Sequence, residues 1–146
     1  MVRGICCLFP GVEGLSENIT VVSVVGQLLE HSRIFRFENG GAPKIYMGSA
    51  DWMQRNLDRR VELVFPLEEE LRERAEEILD VLFRDTENTR VMLPDGTYQR
   101  LDRRGKAPLN CHREFSRMAL QAREKLESID SEKPYTPIRK EQLGEI

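Results

Sequence analysis

The sequence predicts an α/β domain: a mixed β-sheet with helices packed on it. Two observations point there. Short β-branched or alternating runs separated by turn residues fill the first 65 positions, and apolar residues at helical spacing follow from Leu67. Hydrophobic residues make up 40 % of the 146, enough for a core in one ordinary domain.

The elements follow in order. Residues 2–8 read as a buried strand that ends at the Pro10-Gly11 turn. A core strand with no lead-in suggests truncation, with further strands and a helix of the same domain expected before residue 1. Ile19 to Val25 is β-branched and reads as a second strand. Ser32 to Phe37 alternates, Asn39-Gly40-Gly41 supplies a hairpin-type turn, and Lys44 to Met47 returns. Asp51 is placed to cap a short helix containing Trp52, Met53 and Leu57, and Val61 to Phe65 is a further strand. Leu67, Leu71, Ala75, Ile78, Leu79, Leu82 and Phe83 define the inner face of a helix, with Glu68–Arg72 and Glu70–Arg74 pairs outside. Arg90 to Leu93 reads as a strand before the Pro94-Asp95-Gly96 turn. A last helix is expected over about 108–126, with Phe115, Met118, Ala119, Ala122 and Leu126 inward. The domain is thus expected to span residues 1–128, and residues 129–146 form a polar tail with Pro134 and Pro137.

Charge and composition narrow the function. A net charge of −3 argues against nucleic-acid binding driven by bulk charge. Cys6, Cys7 and Cys111 make neither a disulfide framework nor a zinc spacing, and they fit reduced thiols in a cytoplasmic protein. No stretch has the roughly 18 consecutive apolar residues of a transmembrane helix.

Four features could carry chemistry. They are His31 at the entry to a strand, Gly48-Ser49 running towards a helix start at Asp51, the cluster Arg55, Arg59 and Arg60, and Arg3 in an apolar run. Singly, each has a structural explanation: a surface histidine, a turn and cap, a solvated helix end. Arg3 is harder to dismiss, because a guanidinium among apolar residues needs an anionic partner. Together they suit a phosphate, which is held by Arg forks and backbone N–H groups and served by a nitrogen base.

The pattern resembles the phospholipase-D superfamily signature at His31, Arg33, Glu38, Gly48, Ser49 and Asp51. It departs from it: Arg33 stands for Lys, Glu38 for Asp and Asp51 for Asn, and the Gly-Ser pair lies three residues too far. Arg does not give up a proton at neutral pH, which weighs against an active phosphodiesterase. The departures resemble one family. Val2-Arg3-Gly4-Ile5-Cys6-Cys7-Leu8, Gly14-Leu15-Ser16-Glu17-Asn18-Ile19, Leu29-Glu30-His31-Ser32-Arg33-Ile34, Phe37-Glu38-Asn39-Gly40-Gly41, Ser49-Ala50-Asp51-Trp52-Met53 and Arg55-Asn56-Leu57-Asp58-Arg59-Arg60-Val61-Glu62 are similar, as an ordered set, to the C-terminal, phospholipase-D-like domain of the polyphosphate kinase family.

That resemblance implies reversible transfer of the terminal phosphate of ATP to inorganic polyphosphate, returning ADP. It also implies Mg2+, a phosphohistidine intermediate and a homo-oligomer. In the family the phosphorylated histidine and the Mg2+ ligands belong to the preceding domain, so the upstream domains are partners and this chain alone is expected to be inactive. The family's last domain gives an arginine and a histidine to the nucleotide phosphates, and these match Arg3 and His31. His31 would then be catalytic as well as phosphate-binding. Two rival functions are a phospholipase-D-like phosphodiesterase with His31 as nucleophile, and a non-catalytic anion-binding or assembly module.

Overall fold

The structure, a computed structural model, describes residues 1–2 and 6–130, the side chains of 127–130 excepted. The chain divides into two compact units, Met1–His112 and Arg113–Ile146. The described strands all lie in the first.

The element order is β1 (Val22–Val24), β2 (Ile34–Phe37), a 3-10 turn (Asn39–Gly41), β3 (Lys44–Gly48), α1 (Gln54–Arg59), β4 (Val64–Pro66), α2 (Glu69–Phe83), β5 (Thr89–Met92), β6 (Tyr98–Arg100) and α3 (Cys111–Asp130). The fold is α/β, as the sequence predicts. The described strands form two three-stranded sheets, β1-β5-β6 and β2-β3-β4. Every pairing in them is antiparallel.

The second sheet is built by its turn. Asn39, Gly40 and Gly41 all take positive φ, at 50°, 64° and 91°. Glycine adopts this region without steric cost, and Asn tolerates it better than most residues. The reversal sets the register Phe37↔Lys44 through Ile34↔Met47. On the other side of β3, Met47 faces Phe65 and Gly48 faces Val64. A side chain at Gly48 would crowd Leu63 O at 3.2 Å and the Phe35 ring at 3.4 Å, so the close strand approach suits glycine.

The first unit is tied together by a buried carboxylate. Asp85, fully buried, sits just past the end of α2. It accepts N–H groups from Asn88 (2.6 Å), Thr89 (3.1 Å) and Cys111 (2.8 Å), together with the Asn88 side-chain amide (3.1 Å). One side chain thus shapes the α2–β5 turn and caps the start of α3. Beside it, Thr86 N–H donates to Leu109 O (2.9 Å), and Leu109 N–H donates to Thr86 Oγ1 (2.9 Å). Burial acts to raise the Asp85 carboxyl, but the backbone N–H groups of Cys111 and Asn88 outweigh it and hold it below the usual range. Burial, with the Asp85 carboxylate next in effect, pushes the Cys111 thiol up to about 12.

Several elements differ from expectation. The strand expected over 2–8 is absent at the described positions 2 and 6–8. Val2 N–H donates to Val22 O (2.8 Å), and residues 9–16 close into a loop in which buried Ser16 donates to Phe9 O (2.6 Å). Asp51 caps no helix: its side chain bonds Arg33, and α1 begins after Met53. Strand β6 (Tyr98–Arg100) is an addition to the expected elements; its three residues are all exposed, so no buried apolar alternation marks it in the sequence. On α2 the ion pairs are Glu69–Arg72 and Arg74–Glu77 at i,i+3 and Asp80–Arg84 at i,i+4. Ala75, Val81 and Leu82 are buried there, whereas Leu71 and Phe83 are exposed. In α3, Met118 is buried and Leu126 exposed. Positions 129 and 130 of the expected tail belong to this helix, and residues 131–146 lie outside the described residues.

Two outcomes are predicted. Asp85→Asn removes the charge that three backbone N–H groups share, and urea unfolding is expected to show a loss of about 2–3 kcal/mol. Because the folded-state carboxyl titrates below its unfolded value of about 3.9, its contribution is present above that pH and disappears as pH falls through the lower folded value. Asp85→Asn therefore flattens the acid limb of stability below about pH 4. Second, native-state alkylation is expected to modify exposed Cys7 readily and to leave buried Cys111 untouched.

Candidate functional site

His31 lies in the loop that leads into β2, three residues before its first strand position. The loop is pinned on both sides. Ser32 N–H donates to the Glu30 carboxylate (2.9 Å), and Gly48 N–H donates to Arg33 O (3.1 Å), continuing the β2–β3 pairing towards His31. The imidazole is thus exposed on a backbone that the hairpin fixes.

Arg33 joins this end of the sheet to the chain leaving β3. Its Nε donates to Asp51 Oδ1 (3.1 Å), one terminal nitrogen donates to His31 O (3.4 Å), and the other meets His31 Nε2 at 2.7 Å. The Arg33 side chain is 17 % exposed and Asp51 is 49 % exposed, so the pair lies at the rim and not in the core. Asn56, buried on α1, donates from its side-chain amide to Asp51 O (3.1 Å) and holds that residue's backbone. The Arg33 guanidinium, hydrogen-bonded to Asp51, keeps the Asp51 carboxyl below the usual carboxylate range.

Ser49 has a different task. Its hydroxyl donates to a Glu62 carboxylate oxygen and accepts Leu63 N–H at 3.0 Å, while Ser49 N–H donates to Leu63 O at 3.0 Å. The Gly-Ser pair therefore locks β3 to the entry of β4, and both its hydroxyl and its N–H are engaged. Glu62 also faces Arg60 at 3.9 Å. Arg55 and Arg59 lie exposed on α1. Phe35 stacks on Trp52 with ring centroids 4.8 Å apart, and Trp52 is itself 65 % exposed.

Of the residues expected at the site, His31, Arg33, Gly48, Ser49 and Asp51 come together at one end of the β2-β3-β4 sheet. Glu38 does not join them; it pairs with Arg36 near the turn at the other end of the hairpin. Arg3 lies outside the described residues. Sequence reasoning missed the Arg33–Asp51 clasp as a device for holding His31. The register set by Asn39-Gly40-Gly41 could have found it, because that register places Arg33 beside Gly48, three residues from Asp51. Among the described residues no group of three or more His, Cys, Asp or Glu could hold a metal ion, and no helix is long and apolar enough to cross a membrane.

Residues 1–112 match the family described as "Polyphosphate kinase C-terminal domain 2". The chain is 53 % identical over 123 residues to a polyphosphate kinase of Lactiplantibacillus plantarum, and 57 % identical over 109 residues to one of Synechocystis. These stretches make up 84 % and 74 % of this chain. Among solved structures, polyphosphate kinase from Porphyromonas gingivalis aligns with a TM-score of 0.78 at 34 % identity, covering 86 % of this chain. An α/β domain with an exposed, histidine-bearing sheet end is the class of protein that fold and site define. The chain belongs to the polyphosphate kinase family, within its C-terminal domain 2. It spans about a sixth of the two curated relatives, 17 % and 15 %, and 19 % of the solved chain.

Ser49→Ala tests the structural task given to that hydroxyl. It is expected to cost about 1–2 kcal/mol in urea unfolding, and amide exchange is expected to rise first at Leu63 and Val64.

Proposed function

We propose that this chain supplies one side of the active site of an ATP–polyphosphate phosphotransferase, which moves the terminal phosphate of ATP reversibly to inorganic polyphosphate. The observation that carries this reading is His31, presented on the pinned entry to β2 with Arg33 against it, in a chain of the polyphosphate kinase family. His31 acts as a general acid–base or an electrostatic partner while the β–γ bridge of the nucleotide breaks. Arg3 neutralises phosphate charge, and Arg55 and Arg59 guide the polyanion.

On this reading the phosphorylated histidine and the Mg2+ ligands belong to other domains of the enzyme. The carboxylates near His31 do not suit a resident Mg2+: Asp51 bonds Arg33, and Glu62 bonds Ser49. When bound with the nucleotide, Mg2+ would neutralise phosphate charge, and no step assigned to this chain depends on it. The exposed Trp52, Leu57 and Leu63 near the site support a further part of the enzyme packing there, and homo-oligomer formation in the cytoplasm belongs to the same reading.

His31→Ala and Arg3→Ala, each made in the intact enzyme, are expected to lower ATP-dependent polyphosphate synthesis by about 10²-fold or more. Near-normal synthesis in both variants would overturn the assignment. The 146-residue chain alone is expected to make no polyphosphate from ATP, and measurable synthesis by it would contradict a one-sided site.

A further inference from the structure

We propose that Arg33 is a positioning residue that holds His31 in the tautomer carrying its proton on Nδ1, so that the ring meets a phosphate oxygen through Nδ1–H and not through Nε2. This rests on the reading of His31 as a phosphate-contacting residue, and adds which ring nitrogen does the work and what selects it.

The geometry is directional. A guanidinium has five N–H donors and no acceptor. Its terminal nitrogen lies 2.7 Å from His31 Nε2, so Nε2 is the accepting atom and carries no proton. A neutral imidazole whose Nε2 accepts is protonated at Nδ1. A ring fixed in this way offers a phosphate oxygen a hydrogen bond from Nδ1–H, which selects the electrostatic role for His31 over general acid–base transfer. The ring as a whole is exposed, so a ligand can approach it.

The guanidinium is itself held in place. Nε is committed to Asp51 Oδ1 at 3.1 Å and the remaining terminal nitrogen to His31 O at 3.4 Å. These three contacts set the position and plane of the fork. The third anchors it to the backbone of the residue whose ring it orients. Asp51 is fixed in turn by Asn56 through its carbonyl at 3.1 Å, and Arg33 by Gly48 N–H at 3.1 Å. A lysine in place of Arg33 would present a point charge on a flexible stem and could not bridge the carboxylate and the ring in a fixed plane. The Asp51–Arg33–His31 chain is therefore a tautomer lock at the rim of the sheet.

The test uses the 146-residue chain and imidazole 15N NMR. The chain has two histidines, His31 and His112, and His31→Gln assigns the pair. In its neutral form the His31 ring is expected to show a protonated Nδ1 and an unprotonated Nε2. In Arg33→Met the tautomer ratio is expected to move towards Nε2–H. Asp51→Asn, which keeps the guanidinium donors but loosens their anchor, is expected to move it the same way by less. The His112 resonances, from a ring packed beside Gly26, are expected to stay in place and report an intact first unit. A wild-type His31 ring protonated at Nε2 overturns the proposal whatever the variants do. So does a tautomer ratio that both substitutions leave unchanged. The readout is separate from catalysis: an Nε2–H ring would leave the phosphotransfer reading standing, and an Nδ1–H ring in a chain whose intact enzyme tolerates His31→Ala would overturn that reading alone.

Discussion

The first unit depends on one buried anion. Two segments donate to Asp85, which follows α2: the adjoining turn into β5, three and four residues on, and the start of α3, 26 residues on. A charge in the interior is costly unless its acceptor sites are filled, and these are filled largely by backbone N–H groups that would otherwise be orphaned at a turn and a helix start. Removing the acceptor would leave those donors buried without it, so the arrangement holds as a set. It also fixes where β5 begins, and β5 is the central strand of the β1-β5-β6 sheet.

The candidate site uses the same chemistry at the surface. Asp51 and Arg33 form an ion pair at the rim of the β2-β3-β4 sheet. An exposed pair adds little to stability, on the order of 0–1 kcal/mol. Its value is geometric, because a planar fork held by a carboxylate presents the remaining donors in a set direction. The hairpin brings Arg33 beside Gly48, the Ser49–Glu62–Leu63 contacts bind β3 to the approach of β4, and His31 extends from the pinned end. Scaffold and site are thus divided among neighbouring residues: Ser49 builds the sheet, Asp51 and Arg33 orient, and His31 faces outward.

Much of this was legible in the sequence where local chemistry decides. Asn39-Gly40-Gly41 announced a reversal, and the alternating runs on either side supplied the hairpin. The helical spacing from Leu67 to Phe83 gave α2, although the inner face proved narrower than the apolar residues suggested. Other features depend on distant partners. Asp51 looks like a helix cap until Arg33 arrives from the neighbouring strand to take its carboxylate. Asp85 carries no signal in the sequence, because the Cys111 N–H that helps to satisfy it comes from a segment 26 residues further on. The run at 2–8 has the composition of a strand, but at its described positions no ladder forms. His31 was legible through its pattern with Arg33 and the Gly-Ser pair; the clasp that orients it was not, because it requires the hairpin register and the Asp51 backbone together.

The central claim is that the pinned, histidine-bearing end of the β2-β3-β4 sheet is the phosphate-facing surface of this chain. The most direct measurement is a backbone amide NMR titration of the 146-residue chain with inorganic polyphosphate, in low and in raised salt. The account predicts weak, salt-sensitive shifts concentrated at residues 30–33 and 48–51, greatly reduced by His31→Ala together with Arg33→Met. Shifts centred elsewhere, or unchanged in the double variant, would contradict it.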